Sequence, residues 1–378
     1  PGDGDYKVLF IGGDMASDIA DFGHTEGRVL DDAVRSLLGD EKNVTVGICK
    51  AEGADMARCA GDAADGNGGY GLSVIGGHII GEGAGEWRAV YGDCTSAEAL
   101  AYTDWNAVVL QPSLSEAASG KSDGVESESL FTELSESVGY MIDHVSRYAP
   151  GAKIYYAHMW NAVSTCQIDA GLNGYSDVVS VTKAAEGYCG TESGVGLSGV
   201  LPIGAAVQRA RGTYLAELDF SDPQGLDPQI GLQRDGIHLS FEVGRYIAAL
   251  TAAEVLVPDG MRTDEYRLPE MRPSPVIGEL PAEYGEIARE SAAKAVSTMN
   301  SGGDGRYYAV NLINSYRTSP VDTASEDAQW ATPSIRNAAD LDGAVTAWCE
   351  ALLKYNGIRK VEVSVVPDDG VSLDDGVL

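Results

Sequence analysis

Cations are scarce in this chain. Against 57 Asp and Glu stand only 26 Lys and Arg, giving a net charge of −31 and a pI near 4.3. Nucleic acid and anionic membrane surfaces are bound mainly through Lys and Arg that neutralise phosphate, so neither is an expected partner. The same charge favours solubility and suits a salty or surface environment, and it names no ligand. There is no apolar run of about 20 residues, so no membrane span is expected. Cysteine is sparse: Cys49, Cys59, Cys94, Cys166, Cys189 and Cys349 include no C-x-x-C pair, which excludes a zinc knuckle and a thioredoxin-like motif. An even number permits disulfides in an exported chain but leaves their pairing open. H-E-x-x-H and comparable ligand spacings are also missing, so no metal and no cofactor are expected. The first residue is Pro1 rather than Met, which fits a trimmed signal peptide or a recombinant start; the expectation is a secreted or cell-surface protein.

What is present is the composition of an ordered globular protein: 378 residues, 44% hydrophobic, 22% charged, with 47 Gly. That length accommodates one large domain and a smaller one. The continuous apolar run Lys7–Gly12 suits a strand buried on both faces of a parallel sheet. Helical spacing follows over His24–Leu38, through Val29, Leu30, Val34, Leu37 and Leu38. Strand-like runs recur at Val44–Cys49, Ala107–Gln111 and Lys153–Ala157, and between the last two Leu130, Leu134, Val138, Met141, Ile142 and Val145 recur at helical spacing. This alternation predicts a parallel sheet covered by helices. The Gly, Ser and Thr-rich stretch Thr182–Gly199 and the turn-rich Ser221–Asp235 read as surface loops, and a helix is expected over Glu242–Leu256. Prolines then crowd residues 258–283, an extended connector. Residues 284–378 form a smaller α/β region of unassigned role: a helix near Ile287–Met299, a run Tyr307–Ile313, a helix near Ala338–Tyr355, and alternating Val361, Val363 and Val365. Asp368-Asp-Gly-Val371 and Asp374-Asp-Gly-Val377 lack EF-hand spacing and read as a solvated acidic tail.

The most specific chemical signal is Asp235-Gly-Ile-His238. An Asp three residues before a His, in a loop entering a helix, can orient the imidazole so that its other nitrogen takes a proton from a nucleophile. Around it stand KVLFIGG at Lys7–Gly13, Glu52-Gly53-Ala54, DWNAVVLQPS at Asp104–Ser113, AHMW at Ala157–Trp160, LPIGAAVQ at Leu201–Gln208 and RDGIHLSFEVGRY at Arg234–Tyr246. In this order the blocks resemble the SGNH (GDSL-like) hydrolases, especially a bacterial branch known as a domain of unknown function, over about Lys7 to Val257. The resemblance implies a three-layer α/β/α, flavodoxin-like parallel sheet over residues 1–257.

It also implies roles. In that family a Ser at the end of the first strand attacks an ester carbonyl, while its own N–H and a Gly N–H hold the oxyanion. The position of that Ser is occupied here by Asp14, the Gly by Gly53, and the acid/base pair by Asp235 and His238. The further oxyanion donor, an Asn in many relatives, has no clear counterpart; Gln111 or Ser113 lies near its place. A second hydroxyl of this branch is replaced by Ala16. A carboxylate at Asp14 has no proton to give His238, would form an anhydride if it attacked, and places negative charge where an oxyanion must develop. Ser17 lies a helical turn further on and is a poor substitute. A base role for Asp14 toward water, or metal binding with Asp235, lacks accompanying motifs. Natural divergence explains Asp14 better than an introduced change, for which Ala is the usual choice.

The remaining histidines, His24, His78, His144 and His158, read as surface or packed residues, except that the resemblance puts His158 near the pocket. Trp160 suits either a core position or stacking on a sugar ring. Gly81-Glu-Gly-Ala-Gly85 lacks dinucleotide-binding context and reads as a loop. The expected function is a non-catalytic esterase homologue that binds an acylated glycan or other extracellular ligand, or a surface structural component. The alternatives are an active carbohydrate deacetylase with altered chemistry at Asp14, and a self-associating subunit of an extracellular assembly.

Overall fold

A computed structural model describes residues 5–20, 29–39, 42–76, 86–113, 121–122, 125–126, 128–160, 196–211, 232–234, 238–273, 280, 282–300, 308–314, 329–331, 334–335 and 361–367. Its centre is strand β1 (Asp5–Gly12), whose uninterrupted apolar run buries Val8 and Phe10 on one face and Leu9 and Ile11 on the other. β1 pairs in parallel with β2 (Asn43–Lys50) on one side and β5 (Ala107–Gln111) on the other. Beyond β5 come β8 (Lys153–Ala157) and β9 (Gly199–Leu201), also parallel. At the far edge β3 (Tyr70–Gly76) and β4 (Arg88–Cys94) run antiparallel, so the seven-stranded order is β4-β3-β2-β1-β5-β8-β9. A short ribbon pairs β6 (Lys121–Ser122) with β7 (Val125–Glu126).

Helices cover both faces, and the fold is α/β with a mostly parallel sheet. One core layer holds buried side chains of α1 (Met15–Ile19), α2 (Val29–Leu38), α6 (Ile203–Arg211), α7 (Val243–Leu256) and α8 (Ala282–Asn300). The other holds α3 (Met56–Asp65), α4 (Ser96–Ala101) and α5 (Glu128–Tyr148). α4 begins with a capping box, in which Thr95 accepts from the Glu98 N–H and Glu98 reaches back to the Thr95 N–H.

The expected strands at 7–12, 44–49, 107–111 and 153–157 are present, and the antiparallel edge pair β3/β4 is an addition to them. α7 departs from the expected one-sided helix: it is buried almost all round, because α8 packs Ala288, Ala292 and Ala295 into the same core. The chain between them is held down by Tyr246, whose hydroxyl donates to Pro269 O (2.7 Å) and accepts from Arg289 Nη1 (3.1 Å). Thr263 N–H donates to Leu37 O at 2.8 Å, tying the same stretch to the end of α2.

A second sheet is centred on β10 (Tyr308–Asn314), antiparallel to β13 (Val361–Pro367), with Val310 opposite Val365 and Leu312 opposite Val363. β11 (Gln329–Ala331) and β12 (Ser334–Ile335) pair with the other edge of β10. The expected runs at 307–313 and 361–365 coincide with β10 and β13; the helix expected over 338–355 and the acidic tail lie outside the described residues.

Candidate functional site

β1 ends at Gly12 and α1 begins at Met15, so Asp14 occupies the turn at the carboxyl end of the central strand, where open α/β sheets place their sites. The turn is tight because its glycines are pressed against neighbours. A Cβ on Gly12 would stand 2.5 Å from Gln111 O, and one on Gly13 would stand 2.4 Å from Ala54 O. The same contact brings the Glu52-Gly53-Ala54 block to Asp14. Ala51 N–H donates to Gly12 O (3.4 Å) and Ala54 N–H to Ala51 O (3.1 Å), and Gly53 takes a left-handed φ of +62°.

As a result, the Gly53 N–H makes a long hydrogen bond to Asp14 Oδ2, 3.5 Å away. Lys50 Nζ lies 3.8 Å from Asp14 Oδ1. The Asp14 side chain keeps 44% of its surface exposed, so the pair is open to water and to any ligand. Lys50 is the residue that sequence reasoning did not find. It is the last residue of β2, in register with Gly12, and only the adjacency of β1 and β2 reveals it.

His238 is half-buried in the loop leading into α7. The loop closes on itself through Arg234 N–H to His238 O (2.9 Å) and a bridge between Gln233 and Leu239. Beneath it lies Asp18, which has no exposed surface and was not singled out from sequence. Its carboxylate accepts from Arg234 Nη1 (2.9 Å), Leu239 N (2.9 Å), Arg245 Nε (3.1 Å) and Arg245 Nη2 (2.8 Å). Both guanidiniums lie over the Phe241 ring, at 4.7 and 4.8 Å from its centroid. The block RDGIHLSFEVGRY thus contains a structural lock as well as the candidate base.

Asp235, the expected partner of His238, lies outside the described residues. Gln111 is fully buried at the end of β5, its amide nitrogen facing Pro112 O and Met159 Sδ and its Oε1 close over Gly12. Ser113 follows two residues later and is half-buried. His158 is buried just beyond β8, with its backbone N–H bonded to Leu201 O at 2.9 Å. Trp160 has no exposed surface and lies inside the core, so its ring presents no face to a sugar here. Ala16 is buried in α1, and Ser17 Oγ is shielded from solvent. Among the described residues, no group of three or more His, Cys, Asp or Glu side chains could hold a metal ion, and no helix is long and apolar enough to cross a membrane.

No family model matches the chain, and no curated protein matches it. Among solved structures it is similar to the crystal structure of a DUF4886 family protein from Bacteroides uniformis ATCC 8492, with a TM-score of 0.56 and 19% identity over 78% of this chain and 95% of that one. At that identity the likeness shows the fold. The chain is an α/β protein with a mostly parallel seven-stranded sheet, and it shares that fold with a DUF4886 family protein.

Proposed function

We propose that this is an SGNH-type, esterase-like protein that no longer performs serine-ester hydrolysis and instead binds an extracellular ligand, an acylated glycan or related carbohydrate, at the end of its central strand. The observation that carries this reading is the Gly53 N–H directed at the Asp14 carboxylate. In an acyl-transfer site that N–H would meet the developing oxyanion; here it faces a fixed negative charge. Lys50 balances that charge, and the arrangement makes sense as a resting polar surface. A second reading, favoured by the exposure of Asp14, makes its carboxylate a general base for direct attack by water.

The test is hydrolysis of p-nitrophenyl acetate by the native chain, Asp14→Ser, Asp14→Asn and His238→Ala. Silence of the native chain and His238-dependent turnover in Asp14→Ser support a disarmed esterase site. Native turnover that disappears when the Asp14 carboxylate is replaced in Asp14→Asn favours the second reading.

A further inference from the structure

We infer that Asp18 is a positioning residue for His238: it binds α1, which starts beside Asp14, to the loop that carries His238, and so holds the two sides of the candidate site at a fixed separation. The inference rests on reading residues 14 and 238 as parts of one site.

Three observations carry it. First, Asp18 lies one helical turn after Asp14 and is wholly buried, so it moves with α1. Second, its carboxylate grips the loop on both sides of His238, through Arg234 at 2.9 Å and the Leu239 N–H at 2.9 Å. Third, Arg245 donates from both Nε and Nη2 to Asp18 Oδ1, which anchors the same carboxylate to α7. Asp18 lies within α1 rather than at its N-cap, Asp14, or its C-cap, Ala20, so these contacts are not helix capping. Four hydrogen bonds on one buried carboxylate add to the loop's own pairing, which includes Arg234 N–H to His238 O, Ser240 N–H to Leu232 O, the Gln233–Leu239 bridge and an Arg234 Nη1 bond to Leu239 O. The acid/base side of the site is therefore still held in place although the residue at the nucleophile position has changed.

The experiment is a long-range proton–nitrogen NMR spectrum of the imidazoles in the full chain, which has five histidines, with His238 identified by His238→Gln. Arg234→Gln removes one arm of the clamp. It leaves the buried Asp18–Arg245 pair, and Arg234 keeps 22% of its side-chain surface exposed, so the fold should persist. The His238 signals should broaden or move toward those of free histidine while the other four stay in place, and Arg234→Lys should bring them part of the way back. Unchanged His238 signals, or equal movement of all five, would overturn the inference. A measurement without any variant guards against misfolding: the Leu239 amide should exchange with solvent as slowly as amides of β5, and exchange at an unprotected loop rate would equally refute the clamp. None of these readouts depends on hydrolysis. Failure of Asp14→Ser to gain activity would therefore count against the proposed function and leave the clamp standing.

Discussion

Asp18 receives two hydrogen bonds from Arg245, 3.1 Å to Nε and 2.8 Å to Nη2, in a place with almost no access to water. Removing one partner of such a pair leaves the other charge buried and uncompensated, here with a second guanidinium beside it. Asp18→Ala should therefore lower unfolding free energy by about 3–5 kcal/mol. Asp14→Ala, at a half-exposed position, should change it by no more than about 0.5 kcal/mol. Urea denaturation of both variants checks the contrast; similar losses would mean that the two aspartates belong to one structural unit.

Gly13 sets the approach of the Gly53 block. A methyl group there would stand 2.4 Å from Ala54 O, and backbone, unlike a flexible side chain, cannot swing aside. Gly13→Ala should destabilise the chain by about 1–3 kcal/mol and move Gly53 away from Asp14. Thermal unfolding measures the first effect, and a crystal structure of the variant the second.

His144 supplies a pH dependence remote from the candidate site. It is buried on α5, 3.0 Å from Ser96 Oγ, stacked on Tyr140 and with Tyr148 tilted against it. Burial, assisted by the charge of Arg147, lowers its pKa below the ordinary 6.5. The unfolded chain therefore binds a proton at this residue more readily than the folded one. Its contribution to stability is complete above pH about 6.5 and is lost as pH falls toward the depressed folded value. The difference in stability between native and His144→Gln chains, measured by urea unfolding from pH 8 to 5, should shrink as pH falls. A difference that stays constant would show that the imidazole titrates alike in both states.

Cys49, Cys59 and Cys94 are buried thiols in one core layer, none of them in a disulfide. A hydrogen bond with Cys94, together with burial, raises the Cys49 thiol. Thiol reagents act on thiolate, so in the folded chain Cys49 should react at least tenfold more slowly than a free cysteine at pH 8. Mass spectrometry after brief alkylation, with and without urea, reads this directly. Rapid labelling of Cys49 in the native chain would contradict its packing.

The parallel centre of the sheet was legible because β1 and β5 are buried on both faces, which writes a continuous apolar run into the sequence, and β2 and β8 are buried over most of their length. The edge strands were not. β4 is exposed over most of Arg88–Cys94 and carries no such run, although Tyr70, Leu72 and Val74 of β3 do alternate. At the candidate site, the turn at Asp14 and its neighbour Gly53 could be placed from the order of the motifs. Lys50 and Asp18 could not, since each acquires its partner from a segment distant in the chain: Lys50 through strand order, and Asp18 from residues 234–245. Trp160 was left open between two roles for a simpler reason. An indole suits a core and a sugar equally well, and only its burial distinguishes them.

The hydroxyl of Tyr246 and the alanine face of α8 bear on how the protein responds to a protease. α8 is seated in the main core by Ala288, Ala292 and Ala295 and latched through Arg289, so the covalent link from α7 is not what holds it there. A backbone cut between residues 273 and 282 would leave two fragments that co-elute as one particle, and only denaturant would part them.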